Sequence, residues 1–269
     1  MKKTEFFEKN EISLRFYAAK AIIEEAASLA LSMRPSPGGP SATLKGRQDY
    51  VTEADRAVEL MVYNRLSTLF PDDGFIGEER GEQAQGTYRW VLDPIDGTSN
   101  YARGRNRWCI SLGLMKNNLP VAGIINAPAL KEIFTAIRGE GAFLNGKPIY
   151  AAKTKNLDES MVEIGWSPFV PLEWWQEKTT AILNLGSMPR SLGSGALALA
   201  DVACGRSDGY LEKVIYIWDV AAALVILEEA DARISPFIKM GGIEKRTTIL
   251  ATAPNIASQL SKALGVELG

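Results

Sequence analysis

Trp90-Val91-Leu92-Asp93-Pro94-Ile95-Asp96-Gly97-Thr98-Ser99-Asn100 is an apolar run that stops at an Asp-Pro step and turns at a glycine. The pattern predicts the end of a buried strand at Trp90–Leu92, because proline pushes the residue before it out of the helical region. Asp93 and Asp96 then stand on a tight bend at the exposed end of that strand. Two carboxylates a few ångströms apart push one pKa up strongly unless a cation stands between them. A divalent metal removes that conflict. Gly97 and Thr98, read as opening a helix, offer backbone N–H groups and a hydroxyl to an anion beside the metal. Asp-Pro-x-Asp-Gly is also ordinary turn chemistry, so these five residues alone leave both readings open.

The 269 residues, 46% of them apolar, suffice for one large domain. With 30 basic against 32 acidic side chains and a net charge of −2, there is no electrostatic case for direct nucleic-acid binding. Cys109 and Cys204 are too few for a thiolate metal site and fit a reducing compartment. The chain has no histidine, which removes Ser-His triads, imidazole zinc sites and imidazole acid–base chemistry together. Hydrolysis here must run on carboxylates, hydroxyls and metal. Glu5, Glu8, Lys9 and Glu11 interrupt any signal-peptide core, and no run is long and apolar enough to span a bilayer. A cytoplasmic chain with no membrane partner is expected.

Leu14, Ala18, Ala21, Ile22, Ala26, Leu29 and Ala30 predict an amphipathic helix over 11–33, ended by Pro35 and Pro37, with a surface loop at 36–43. Thr52 reads as the N-cap of the next helix with Asp55 at its third position, a capping box variant. Phe75-Ile76-Gly77 reads as a strand, and Glu78-Glu79 behind it as either solvated charge or a third source of metal ligands. Residues 80–87 read as a polar connection. Residues 108–115, 120–126 and 132–137 then read as consecutive antiparallel strands, with a turn at 139–146 whose glycines resemble a phosphate loop only weakly. Met161–Ile164 is a further strand, and a helix begins about Trp174. After a break at 186–189, the small residues of Ser191-Leu192-Gly193-Ser194-Gly195 precede a helix over 196–204, where they serve close packing or binding. Val220–Leu227 is apolar on every side and therefore a buried helix. Asp219 at its start is either an N-cap or a ligand that the helix dipole keeps ionised. Two layers of mixed sheet, separated and covered by helices, satisfy this order.

Asp93-Pro94-Ile95-Asp96-Gly97-Thr98-Ser99-Asn100-Tyr101 closely resembles the metal-binding motif of the inositol monophosphatase family, Mg²⁺-dependent, lithium-sensitive phosphatases of small phosphate monoesters. Lys45 with Asp49-Tyr50-Val51-Thr52-Glu53-Ala54-Asp55, Gly77-Glu78-Glu79, residues 139–146 and Trp218-Asp219-Val220-Ala221-Ala222 carry the resemblance through most of the chain. It implies an α+β fold, the five-layer αβαβα sandwich of the inositol monophosphatase and sugar phosphatase type. That would be a single domain over 1–269, with an α+β half to about residue 150 and an α/β half from about 151.

Two or three Mg²⁺ ions are implied. Glu78, Asp93 and the carbonyl of Ile95 would hold the first, Asp93, Asp96 and Asp219 the second, and a weaker third would share Glu78. An acidic cleft cannot attract a phosphate dianion until such ions reverse its sign. Glu78, Thr98 and Asp55 would be the catalytic residues, Asp55 and Thr98 orienting the water that attacks phosphorus. Asp96, Gly97, Thr98, Gly193, Ser194, Gly195 and Glu212 would meet the substrate, Glu212 through a ring hydroxyl. Lys45 would lie on the loop that closes over the site. Gly195 in place of a more usual alanine, and Glu229-Ala230-Asp231-Ala232 in place of a Glu-Ala-Gly-Gly turn, depart from the family pattern. The implied function is hydrolysis of a small-molecule phosphate ester, myo-inositol monophosphate foremost, by a homodimer. The alternatives are histidinol phosphate, a sugar bisphosphate or a 3′-phosphonucleotide, or a protein that binds transcription factors or RNA polymerase.

Overall fold

Small residues in the middle of the chain set how its layers meet. The structure, a computed structural model, describes residues 3–36, 43–46 and 49–269. In chain order the elements are α1 (Lys3–Ser32), β1 (Thr43–Gly46), β2 (Asp49–Val51), α2 (Glu53–Leu69), β3 (Gly74–Gly77), β4 (Gly81–Ala84), β5 (Tyr88–Asp96) and α3 (Thr98–Ala102). They continue with β6 (Cys109–Lys116), β7 (Leu119–Ala127), β8 (Glu132–Ile137), β9 (Ala142–Leu144), β10 (Lys147–Pro148), β11 (Met161–Ile164), α4 (Leu172–Asn184) and β12 (Met188–Arg190). The last are α5 (Gly195–Ala203), β13 (Gly209–Ile215), α6 (Ile217–Glu229), β14 (Arg233–Ile234), β15 (Thr247–Thr252) and α7 (Ala257–Leu264).

Among the described residues, β1 and β2 form a hairpin, and two larger sheets run β10-β9-β8-β7-β6-β5-β3-β4 and β12-β11-β13-β15-β14. β3 and β5 pair in parallel, as does β11 with both β12 and β13, and the remaining pairs are antiparallel. Helices α1 and α2 cover one face of the larger sheet, α5 and α6 fill the space between the sheets, and α4 and α7 cover the far face of the smaller one. This is the expected αβαβα order. Each interface holds its own apolar cluster. Ile23, Val58, Trp90 and Leu112 lie under the first helix layer, Leu199, Val220 and Ile226 lie between the sheets, and Val162, Leu211 and Leu260 lie under the last.

Helix α6 packs directly on backbone. Gly113 and Gly123 are register partners on β6 and β7. A Cβ on Gly113 would sit 2.6 Å from Ala221 Cβ, and one on Gly123 would run into the Ala222 carbonyl. The apolar helix read at 220–227 can therefore lie flat on the sheet only where both surfaces are stripped of side chain. Gly123→Ala is expected to destabilise the fold by about 1–3 kcal/mol through overpacking, seen as a lower denaturant midpoint at unchanged m-value.

Several expectations shift. α1 begins at Lys3, well before residue 11, and the loop expected at 36–43 falls mostly outside the described residues. Lys45 lies on β1, its side chain outside the described set. The connection at 80–87 contains β4, an edge strand, whose polar sequence is what an exposed edge carries. β5 does not stop at Leu92 but runs on to Asp96. Its partner β3 ends opposite Leu92, whereas β6 continues to pair beyond a bulge at Asp93–Asp96, where Pro94 has no N–H to give. Asp93 and Asp96 are accordingly buried, 2% and 8% exposed, and do not project from an exposed strand end. The departure at Glu229–Ala232 keeps its turn, with Asp231 in the left-handed region at φ 63°, which aspartate tolerates better than most residues.

Candidate active site

The β5 bulge, the start of α6 and the start of α5 converge on one point. Asp93, Asp96 and Asp219 bring carboxylate oxygens within 4.8 Å of one another. Asp55, Glu78 and Glu79 form a second such group. Burial pushes the Asp93 carboxyl well above the usual carboxylate range, and the charges of Glu78, Asp96 and Asp219 push it further. Asp219 is raised by burial and then by Asp96. Four acids from strand ends and helix starts thus repel one another in a water-poor site, which is stable as a carboxylate cluster only around cations.

The local folding explains why each acid points inward. Asp93 Oδ1 accepts the Ile95 N–H at 2.9 Å, closing the bulge over the missing proline donor. Tyr216, not Asp219, caps α6. Asp219 is the third helical residue, and its Oδ2 accepts the Tyr216 N–H at 2.9 Å. From the end of β5 the Asp96 carboxylate meets the start of α5: Oδ2 accepts from the Ser194 hydroxyl, the Ala196 N–H (2.9 Å) and, from β6, the Cys109 thiol (3.6 Å), and Oδ1 from the Gly195 N–H at 3.2 Å. Burial raises the Asp96 pKa, and these donors pull it back. Ser194 and Gly195, expected on the substrate, therefore spend these donors on Asp96 while still lining the cavity.

Thr98 opens α3 behind Gly97, as expected. Gly97 has φ 86°, and a Cβ there would lie 2.9 Å from the Arg107 carbonyl and 3.1 Å from that of Gly193. The Thr98 hydroxyl reaches the Ile95 carbonyl at 2.9 Å and Asp55 Oδ1 at 3.3 Å. Asp55 is itself held by the capping box, its Oδ2 accepting the Thr52 N–H at 2.8 Å and the Thr52 hydroxyl at 2.5 Å. One carboxylate thus both starts a helix and aims a threonine. Asn100, to which no role attached, ties the two halves of the site: Nδ2 reaches the carbonyls of Arg107 (2.8 Å), Leu192 (2.9 Å) and Gly193 (3.1 Å). Two of its three partners lie 92 and 93 residues away, so no local pattern could have found the tie between the halves.

Above the acids opens a cavity of about 650 Å³, bordered by Glu78, Asp96, Gly193, Glu212 and Asp219 among others. Glu212, on β13, is pushed up to about 7 by burial. Its Oε2 accepts from the Tyr210 hydroxyl two residues away on the same strand face. Room for that pair comes from glycines. A Cβ at Gly165 would meet both side chains, and one at Gly195 would lie 3.2 Å from the Tyr210 oxygen. The unusual glycine at 195 is thus where the tyrosine fits.

All the donors here are oxygens, the chain has no imidazole, and burial keeps the one nearby thiol, Cys109, protonated by raising its pKa. A hard divalent cation suits that set, and a thiolate or imidazole metal does not.

A sequence profile described as the inositol monophosphatase family matches residues 6–264. Among curated proteins, an inositol-1-monophosphatase of Synechocystis is 37% identical over 226 residues, 82% of this chain and 78% of that protein. The Nus factor SuhB of Xylella fastidiosa is 39% identical over 202 residues, 72% of this chain and 71% of that protein. Among solved structures, an inositol monophosphatase from Anabaena superposes with a TM-score of 0.80 at 30% identity, covering 96% of this chain and 98% of the other.

Proposed function

We propose that this chain, which belongs to the inositol monophosphatase family and is a phosphoric monoester hydrolase, acts on phosphate esters of small polyols, myo-inositol monophosphate foremost, with Mg²⁺ as its cation. The supporting observation is the convergence of Asp93, Asp96 and Asp219 within 4.8 Å, with Asp96 and Asp219 lining the cavity. Glu78, Asp93 and the Ile95 carbonyl would hold one ion, and Asp93, Asp96 and Asp219 another, with Glu78 available to a third. The chemistry that Mg²⁺ supplies when bound is charge to draw in a phosphate dianion, a more acidic water and support for the departing alkoxide. Thr98 and Asp55 orient the attacking water along the line to phosphorus. Gly97 and Thr98 would offer backbone N–H groups to the phosphate oxygens, while Gly193, Ser194 and Gly195 line the wall of the cavity.

The direct test is phosphate release from a panel of small esters with and without Mg²⁺, and again in LiCl against KCl at equal ionic strength. Activity that survives exhaustive chelation would sink the reading, and indifference to Li⁺ would remove its lithium-sensitive part. Mg²⁺ should also stabilise the chain. At a hundredfold excess over Kd the gain is about 2.7 kcal/mol, or about 5–10 °C for a chain of this size. The gain should grow with pH. Asp93 and Asp219 have folded pKa values above their unfolded ones, so they favour the metal-free fold below the unfolded carboxylate pKa and lose that contribution as pH rises through the folded values. Metal-free Tm should therefore fall with rising pH in a thermal melt, and Mg²⁺ should remove most of the slope.

Glu212 serves the polyol. As carboxylate it accepts a hydrogen bond from a ring hydroxyl, so Glu212→Gln should cost about 1–3 kcal/mol in kcat/KM on inositol phosphate and much less on ethyl phosphate. Wild-type KM for inositol phosphate should fall as pH rises through about 7, where Glu212 ionises. An equal loss on both esters would take Glu212 out of substrate recognition.

The relative named Nus factor SuhB favours a second role as a partner in transcription, tested by pull-down with RNA polymerase and its elongation factors. Homodimer formation is tested by light scattering. No described helix is long and apolar enough to cross a membrane.

A further inference from the structure

Helix α2 carries a second buried acid that the chemistry above leaves unused. Glu59 stands one helical turn after Asp55, on the same face, and is 0% exposed. Burying a carboxylate costs more than burying an apolar side chain of its size, so packing alone does not account for it. Its Oε2 accepts the Glu79 N–H at 2.9 Å, and its Oε1 lies 3.6 Å from Arg80 Nε. Tyr63, a further turn along that face, packs edge-on against Phe75 with ring centroids 5.2 Å apart, and its ring centroid lies 5.2 Å from the Arg80 guanidinium. One stripe of α2 thus holds the chain on both sides of Gly77-Glu78.

The hold is close. A Cβ on Gly77 would sit 2.5 Å from Glu59 Oε2, so β3 can end against that carboxylate only as glycine. On the other side, the Glu78 N–H donates to the Leu92 carbonyl of β5 at 3.2 Å. The peptide plane before the Glu78 Cα is therefore tied to β5, and the plane after it to Glu59. Each plane is rigid, so fixing both fixes the direction in which the Glu78 side chain leaves the backbone. We propose that Glu59 is a positioning residue that aims the Glu78 carboxylate at the cation held by Glu78 and Asp93, as Asp55 aims Thr98. Glu59 itself touches neither metal nor substrate in this role. The inference rests on the Mg²⁺-dependent phosphatase reading above.

Three variants separate the acceptor from the charge. Glu59→Gln keeps an oxygen that reaches the Glu79 N–H without the charge, Glu59→Asp keeps the charge but withdraws it by one methylene, and Glu59→Ala removes both. Mn²⁺, which takes the same oxygen ligands as Mg²⁺, is titrated into each metal-free protein, with the free ion read by electron paramagnetic resonance and the fold by thermal melting. Glu59→Asp and Glu59→Ala should bind one ion at least about tenfold more weakly, the lower end for losing a partner that orients a ligand, while Glu59→Gln keeps most of the affinity. The Mg²⁺ concentration for half-maximal phosphate release should rise by the same factor, with kcat recovered at saturating Mg²⁺. Should Glu59→Ala fail to fold, Glu59→Asp against Glu59→Gln decides, since both keep a polar group of nearly the same size. A residue that serves folding alone would lower the melting temperature and leave Mn²⁺ affinity unchanged. That result, or Mn²⁺ held more tightly by Glu59→Asp than by Glu59→Gln, overturns this inference alone. A parent protein that binds no Mn²⁺ and releases no phosphate with Mg²⁺ overturns the phosphatase reading and this inference with it.

Discussion

Asp93→Asn is expected to lower turnover at least about a thousandfold and, without metal, to make the protein more stable. The first effect follows from where Asp93 stands. Its oxygens lie within 4.8 Å of those of Asp96 and Asp219, and Glu78 acts on it strongly enough to raise its pKa, so it is the one acid between both proposed ion positions. Losing a group that only supports a ligand costs about 10–100-fold. Losing the charge of a ligand shared by two ions loosens both and compounds that loss. The second effect follows from burial. Asp93 is 2% exposed among acids that repel it, and asparagine keeps the shape while removing the charge. The metal-free melting temperature should rise, and the Mg²⁺-dependent increment should shrink. A residue needed only for packing would show neither rise nor shrinkage. If turnover stayed within tenfold of the parent, Asp93 would not bridge the ions.

Much of the site could be read because its residues advertise themselves locally. Asp93 and Asp96 interrupt an apolar strand at a proline, Thr52 and Asp55 stand at capping-box spacing, and Asp219 opens a helix apolar on all sides. In each case short-range chemistry and long-range placement agree, which is why the capping box appears as drawn, with Asp55 Oδ2 at 2.8 Å from the Thr52 nitrogen. What escaped was held by distance along the chain or by neighbours. Ser194 lies 98 residues from the Asp96 it serves, and the clamp at Asn100 spans a similar gap. The strand end at Leu92 was misplaced because proline removes one donor without ending the pairing that β6 keeps on the other side. β4 hid because an edge strand needs no apolar face. β14, β15 and α7 carry no motif, yet β15 pairs with β13 and so fixes the strand that holds Glu212.

Thr98→Val should reduce kcat by about a hundredfold or more, the lower bound for a positioned proton-transfer group, with little change in stability. Thr98 is half-buried, and valine matches its shape, so the loss is confined to a hydroxyl that reaches the Ile95 carbonyl at 2.9 Å and Asp55 Oδ1 at 3.3 Å. Asp55→Asn should be slower and also less stable, because Asp55 is 1% exposed and its Oδ2 accepts two bonds from Thr52 at the start of α2. The cap accounts for about 0.5–2 kcal/mol of that stability. The two roles of Asp55 separate in a double-mutant cycle. If Asp55 acts on the reaction through Thr98, adding Asp55→Asn to Thr98→Val should lower kcat little further, while the stability loss of Asp55→Asn remains in full. Single-turnover phosphate release and denaturant midpoints on the four proteins measure both quantities. Additive losses in kcat would mean that the carboxylate and the hydroxyl act independently, and Thr98 would then owe its place to Ile95 alone.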